Sequence, residues 1–146
     1  MAVRRELVER KLQLMAEDLG RIAPFRELTL DDLTADEIRL AALERMMERI
    51  VMRAIDVNEH LISELATGDQ TPATRLTYRD TFLGLVQLGV YDQQFAERIA
   101  GSARLRNVLV HDYNDLDHRL LHGALQTGVA DYYDYVQAVR RFIDRL

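Results

Sequence analysis

Six residues able to work on a phosphate lie between positions 104 and 114: Arg104, Arg106, Asn107, His111, Tyr113 and Asn114. Read as a helix turning about 100° per residue, the stretch divides into two faces. Leu105, Val108 and Leu109, continued by Leu116, recur at the spacing of a core stripe. Arg104, Asn107, His111 and Asn114 share the opposite side, and Arg106 and Tyr113, seven apart, stand beside that row. A face that met only water would usually carry Lys and Glu. This one carries guanidinium, amide, imidazole and phenol, and residues 98 to 111 hold three Arg and no acid in a chain of net charge −5. A guanidinium never loses its charge and can grip phosphate with two N–H groups. An imidazole titrates near neutrality and can pass a proton. The plainer reading is a helix-capping His111 beside solvated arginines, and spacing alone leaves both open.

Other groupings carry less. His118 and His122 are four apart on a helical stretch, a spacing that can put two imidazoles on a metal, with Asp115 or His111 as a third ligand. No Glu stands where a His-Glu-x-x-His site needs one, so two capping or exposed histidines are the simpler expectation and no metal is assigned. His60 lies in a long helical pattern and reads as a core or cap histidine. Tyr132, Tyr133 and Tyr135 resemble a base-stacking platform only superficially; at helical spacing they belong to the edge of a core. There is no glycine-rich phosphate loop and no Gly-x-Ser-x-Gly elbow, and no cofactor is expected.

Size and composition set the frame. With 146 residues, 48% hydrophobic and 29% charged, the chain suits one domain spanning 1–146. The acidic balance argues against sequence-blind coating of nucleic acid, yet it permits a confined basic site. Cysteine is absent, which excludes disulfides and thiolate metal sites and favours the cytoplasm. No apolar run reaches the roughly 18 residues a membrane span needs, and the charged N-terminal pattern is unlike a signal peptide.

The elements that must hold the site are all helical. Residues 2–19 form a first helix closed by Gly20 and Pro24, followed by a loop from Phe25 to Leu33 packed down as a lid. A second helix of about 30 residues starts near Thr34, where Thr34-Ala35-Asp36-Glu37 offers a capping box. Its apolar positions cover more than one stripe, so it should be touched on two sides, by its own chain and by another subunit. Met46, Met47 and Met52 read as adaptable packing. A third helix runs from behind Thr77 to Gly89 and another from about Asp92, kinked at Gly101-Ser102 before the motif stretch. Helix resumes near Leu116, is punctuated by Gly123 and Gly128, and ends with a helix over 129–145 that buries Tyr132, Val136, Val139 and Ile143. The fold expected is an all-α, up-and-down bundle of four long helices plus short ones.

Arg106-Asn107-Val108-Leu109-Val110-His111-Asp112-Tyr113 resembles the Arg-x4-His-x-Tyr motif of HepT toxins, a branch of the HEPN ribonuclease superfamily. Leu76-Thr77-Tyr78-Arg79-Asp80-Thr81-Phe82 with Leu88-Gly89-Val90 is similar to the segment preceding that motif, and Asn58-Glu59-His60-Leu61-Ile62 to the end of the family's long second helix. The resemblance implies a HEPN-like two-fold dimer with its active site in the cleft between subunits, where RNA is cut without metal by attack of a ribose 2′-OH. On that reading His111 moves the proton, Arg106 holds the phosphate and Asn107 steadies the imidazole or the phosphate, while Arg104 and Asn114 bind substrate. One His per chain on this face, where scission uses both an acid and a base, also suits two copies meeting. The resemblance further implies a toxin silenced when a partner nucleotidyltransferase of the MNT type places adenylate on Tyr113, filling the groove with bulk and negative charge. The competing expectation is a non-catalytic binding or regulatory module that partners such a transferase. A hydrolase using His118 and His122 is the distant third.

Overall fold

The computed structural model describes residues 3–66, 76–109 and 115–146. Among them every regular element is helical: α1 (Arg5–Ile22), α2 (Leu30–Ala35), α3 (Glu37–Leu65), α4 (Tyr78–Leu88), α5 (Gln93–Ala100), α6 (Ser102–Leu109), α7 (Asp115–Gly123) and α8 (Val129–Asp144). The longest are α1, α3, α4 and α8, the four long helices that periodicity predicts.

Local chemistry explains most boundaries. Thr77 accepts a hydrogen bond from the Asp80 N–H at 3.1 Å and opens α4, and Gly89, at φ +86°, closes it in the left-handed conformation that favours glycine. Asp92 caps α5 by accepting from Phe95 N–H at 2.8 Å. The start of α3 is capped by Asp36, which accepts from Arg39 N–H. The capping box itself lies earlier than predicted, at Thr29 and Asp32, and opens α2 within the segment expected to be loop. That segment still packs down as expected, with Leu33 buried and Phe25, Leu28 and Leu30 against the core. Gly20 does not end α1; a Cβ there would meet nothing within 4 Å, and the helix continues to Ile22, followed by a 3-10 turn over Ala23–Phe25 that contains Pro24. Gly123 and Gly128 do punctuate the helical run, as their positions predict: α7 ends at Gly123 and the turn after it at Gly128. A π turn over Ala124–Gly128 joins α7 directly to α8.

The core is organised on α3. It packs against α1, α4 and α6, with α2 near its start, so most of its apolar positions are covered by this chain's own helices, while Ile38 stays exposed. Met47, Ile50, Ala54 and Leu61 point one way and Val51 and Ile55 the next, all essentially removed from water. Two polar devices fix its neighbours. Between α1 and α3, Asp18 is 1% exposed. Its oxygens accept from Arg49 Nε at 3.1 Å and Nη2 at 2.6 Å, from Arg53 Nη1 at 3.0 Å and from Arg21 Nη1 at 2.9 Å. A carboxylate out of water needs that many donors. Between α3, α4 and α8, the Tyr135 hydroxyl meets Asn58 Oδ1 at 2.6 Å, and Asn58 Nδ2 donates to Thr81 Oγ1 at 3.2 Å. Thr81 in turn donates to the Tyr78 carbonyl at 2.7 Å. Burial foremost pushes the Tyr135 hydroxyl well above the ordinary tyrosine pKa, so it stays a donor in this network. None of the described helices is long and apolar enough to cross a membrane.

Candidate active site

Helix α6 is bedded by one face and offers the other. Ala103 and Leu105 are buried, and Ser102 fixes its first turn by donating to the Ile99 carbonyl at 2.7 Å while lying 2.5 Å from the Tyr132 hydroxyl. Buried Tyr132 is thereby tied to the junction of α5 and α6; burial first, and the Asp131 charge after the opposing Ser102 bond, hold its hydroxyl above the ordinary value. Arg98 reaches Asp131 at 2.9 Å and so ties α5 to α8. The break predicted at Gly101-Ser102 is the boundary between α5 and α6.

On the outward side stand Arg104 and Asn107, both exposed, with Arg106 half-buried beside them. That exposure agrees with the side on which spacing puts Arg104 and Asn107, with Arg106 beside that row. His111, Tyr113 and Asn114 lie outside the described residues, as does the segment from 67 to 75. Arg106 runs back across α3. Its Nε donates to Met52 Sδ at 2.8 Å, and its guanidinium carbon sits 5.8 Å from the centre of the Tyr78 ring. No carboxylate among the described residues forms an ion pair with it. Its charge is held by a thioether and a π face, both weak partners for a cation in this setting.

Sequence reasoning passed over these two partners. Met52 reads as packing and Tyr78 as one residue of a similar segment, because only tertiary structure brings positions 52, 78 and 106 together. Two other histidines take structural work. His60 Nε2 accepts from the Arg4 backbone N–H at 3.0 Å and pins the start of α1, the capping place foreseen for it. His122 Nε2 donates to the Leu28 carbonyl at 2.6 Å and clasps the loop before α2. Among the described residues no group of His, Cys, Asp and Glu is placed to hold a metal. A cleft of about 330 Å³ lies behind α6, against Ser102, Leu105, Leu120, Ala124 and Tyr132. Another of about 480 Å³ lies between the ends of α3 and α4, lined by Ile62, Leu65 and Leu83. Neither includes Arg104, Arg106 or Asn107.

Comparison with known proteins adds to this geometry. Residues 3–139 match the family described as "Ribonuclease HepT-like". The chain is 28% identical to a "tRNA nuclease HepT" of Aphanizomenon flos-aquae (strain 2012/KM1/D3) over 137 residues, which is 94% of this chain and 90% of that protein. Among solved structures, it is similar to a chain of a toxin–antitoxin crystal structure with AMP-PNP, with TM-score 0.76 and 18% identity over 93% of this chain and 98% of the other. It is equally similar, with TM-score 0.76 and 18% identity over 92% and 97% of the two chains, to a chain from a structure of a tri-AMPylated Shewanella oneidensis HEPN toxin in complex with MNT antitoxin. At that identity the structural likeness is one of fold.

Proposed function

The chain belongs to the HepT-like ribonuclease family, and from that premise we propose that it is the toxin half of a toxin–antitoxin pair, a metal-independent RNA endonuclease. The observation that carries this reading is the outward face of α6. Arg104 and Asn107 are exposed there and Arg106 is half-buried, on a stretch without acids, inside a family match spanning residues 3–139. The substrate proposed is RNA, with tRNA the first to try because the relative from Aphanizomenon flos-aquae carries that name; DNA, lacking the 2′-OH, is not a substrate.

In the mechanism proposed, the 2′-OH attacks the adjacent phosphorus, the bond to the 5′-oxygen breaks, and a cyclic phosphate and a free 5′-OH result. His111 accepts the proton from the 2′-OH, and the imidazole of a second copy returns one to the leaving oxygen. Arg106 offsets charge gathering on the phosphoryl oxygens, with Asn107 orienting the imidazole or the phosphate. Arg104 and Asn114 extend the contact along the RNA backbone. The need for two imidazoles is the argument for a two-fold homodimer with the cleft between subunits as the active site. Tyr113 is the residue proposed to receive adenylate from an MNT-type nucleotidyltransferase antitoxin. The same reading makes residues 1–146 a single HEPN-like domain working in the cytoplasm.

The decisive experiment incubates tRNA with the purified protein in EDTA, comparing wild type with Arg106→Ala and His111→Ala. Cleavage by wild type alone is expected; equal cleavage by all three preparations would reject the assignment. For Tyr113, intact mass after incubation with transferase and ATP should rise by whole adenylates, and Tyr113→Phe should show no rise.

A further inference from the structure

We infer that Met52 and Tyr78 are positioning residues for Arg106, holding its guanidinium by contacts that orient it without neutralising it. The inference rests on the nuclease reading above for its consequence, although the clamp itself is a matter of geometry.

An arginine can be fixed in two ways. A carboxylate orients it strongly and also cancels its charge, which then has to be won back by any phosphate that binds. The alternative is a set of soft partners. At Arg106 the Nε–H is taken by Met52 Sδ at 2.8 Å, and a thioether is a weak acceptor carrying no formal charge. With Nε engaged, and no described residue bonded to the two terminal nitrogens, that edge is the one suited to meet two phosphate oxygens. The Tyr78 ring, 5.8 Å from the guanidinium carbon, adds attraction through its π face. This too supplies no carboxylate.

Both partners are themselves held. Met52 projects from the middle of α3, flanked by buried Val51, Ala54 and Ile55. Tyr78 is the first residue of α4, just after the Thr77 cap, and its carbonyl accepts the Thr81 hydroxyl at 2.7 Å. Thr81 is in turn bonded to buried Asn58. The clamp is therefore anchored to the interior on two sides, while the arginine stays half-exposed. Placement of this kind matters because a misplacement of about 1 Å in a phosphate-gripping group can cost about 100-fold in rate.

The test compares Met52→Glu with Met52→Gln, side chains of nearly the same length. A carboxylate at 52 should pair with Arg106 and compete with RNA phosphate, lowering kcat/KM for tRNA by about 10- to 100-fold, while the amide, which accepts a hydrogen bond without a charge, should cost about threefold. Tyr78→Leu should cost about tenfold and Tyr78→Phe, which keeps the ring, about twofold. Unfolding midpoints measured alongside separate these effects from simple destabilisation. A second readout does not involve activity: the NMR signal of the Arg106 Nε–H, assigned by its loss in Arg106→Lys, should move in Met52→Leu. Equal activity of the Glu and Gln variants, or an Nε–H signal unmoved in Met52→Leu, overturns the inference. If instead His111→Ala cleaves as well as wild type, the nuclease reading has failed, and the Nε–H signal still decides whether the clamp exists.

Discussion

Two parts of this molecule use arginine in opposite ways. In the seam between α1 and α3, Arg21, Arg49 and Arg53 converge on one buried carboxylate, Asp18. At the corner where α6 crosses α3 and α4, Arg106 meets a sulfur and an aromatic ring. The first arrangement joins helices: its positive charge is spent on an acid that could not stay ionised in the interior alone. The second, among the described residues, sets no carboxylate against the charge. Pairing, more than residue type, therefore separates an arginine that builds the protein from one that acts on something else.

The comparison is open to attack from both ends. Arg106→Ala should lower RNA cleavage by about 100- to 1,000-fold, as removal of a group stabilising transition-state charge does, and should leave the urea midpoint nearly where it was. An equal loss of stability would mean that both regions are structural and the contrast is false. Asp18→Asn should do the reverse. It should cost about 2 kcal/mol in urea unfolding, less than a fully buried pair because Arg21, Arg49 and Arg53 are partly exposed and can turn to water. Activity per folded molecule should hold, and a variant as stable as wild type would show that the seam joins nothing. Smaller still, Tyr135→Phe should cost about 1 kcal/mol by leaving Asn58 short of a donor, sharpening the contrast by testing the network behind Tyr78. The smallest effect belongs to Glu59 on α3. Burial first, and then the charge of Asp56, raise its pKa above 4.5. The native state thus binds that proton more tightly than the unfolded chain. Its stabilising contribution is full below the unfolded value and is lost as pH rises through the raised one. Glu59→Gln should therefore match wild type in acid and be slightly more stable at neutral pH, as urea unfolding at two pH values can measure.

How much of this could be read from the chain beforehand depends on distance along it. The face shared by Arg104 and Asn107, the Thr77 cap, the stop at Gly89 and the buried stripe of α8 are local patterns, and each stands where periodicity and capping rules put it. The Met52–Arg106 contact spans 54 positions, and Asp18 meets Arg49 across 31. Nothing in the neighbourhood of either residue announces its partner. The motif was legible through its likeness to a family, whereas the clamp around Arg106 was not. Gly20 misled for a related reason. Glycine weakens a helix by about 1 kcal/mol, an amount that packing of Leu19 and Ile22 beside it readily outweighs.

The π turn between Ala124 and Gly128 has a consequence for how this chain can vary. Such a turn carries one residue more than a regular spiral, and here it lies within an unbroken rod from Asp115 to Asp144. Excising one residue would restore an ordinary winding and leave the two flanking helices in nearly the same rotational register, because the wider turn already absorbs the extra residue's rotation of about 100°. Leu121 would keep facing the interior. Shortening should therefore be tolerated within Ala-Leu-Gln-Thr-Gly better than in the regular turns of α8, where the same deletion would swing everything upstream to another side.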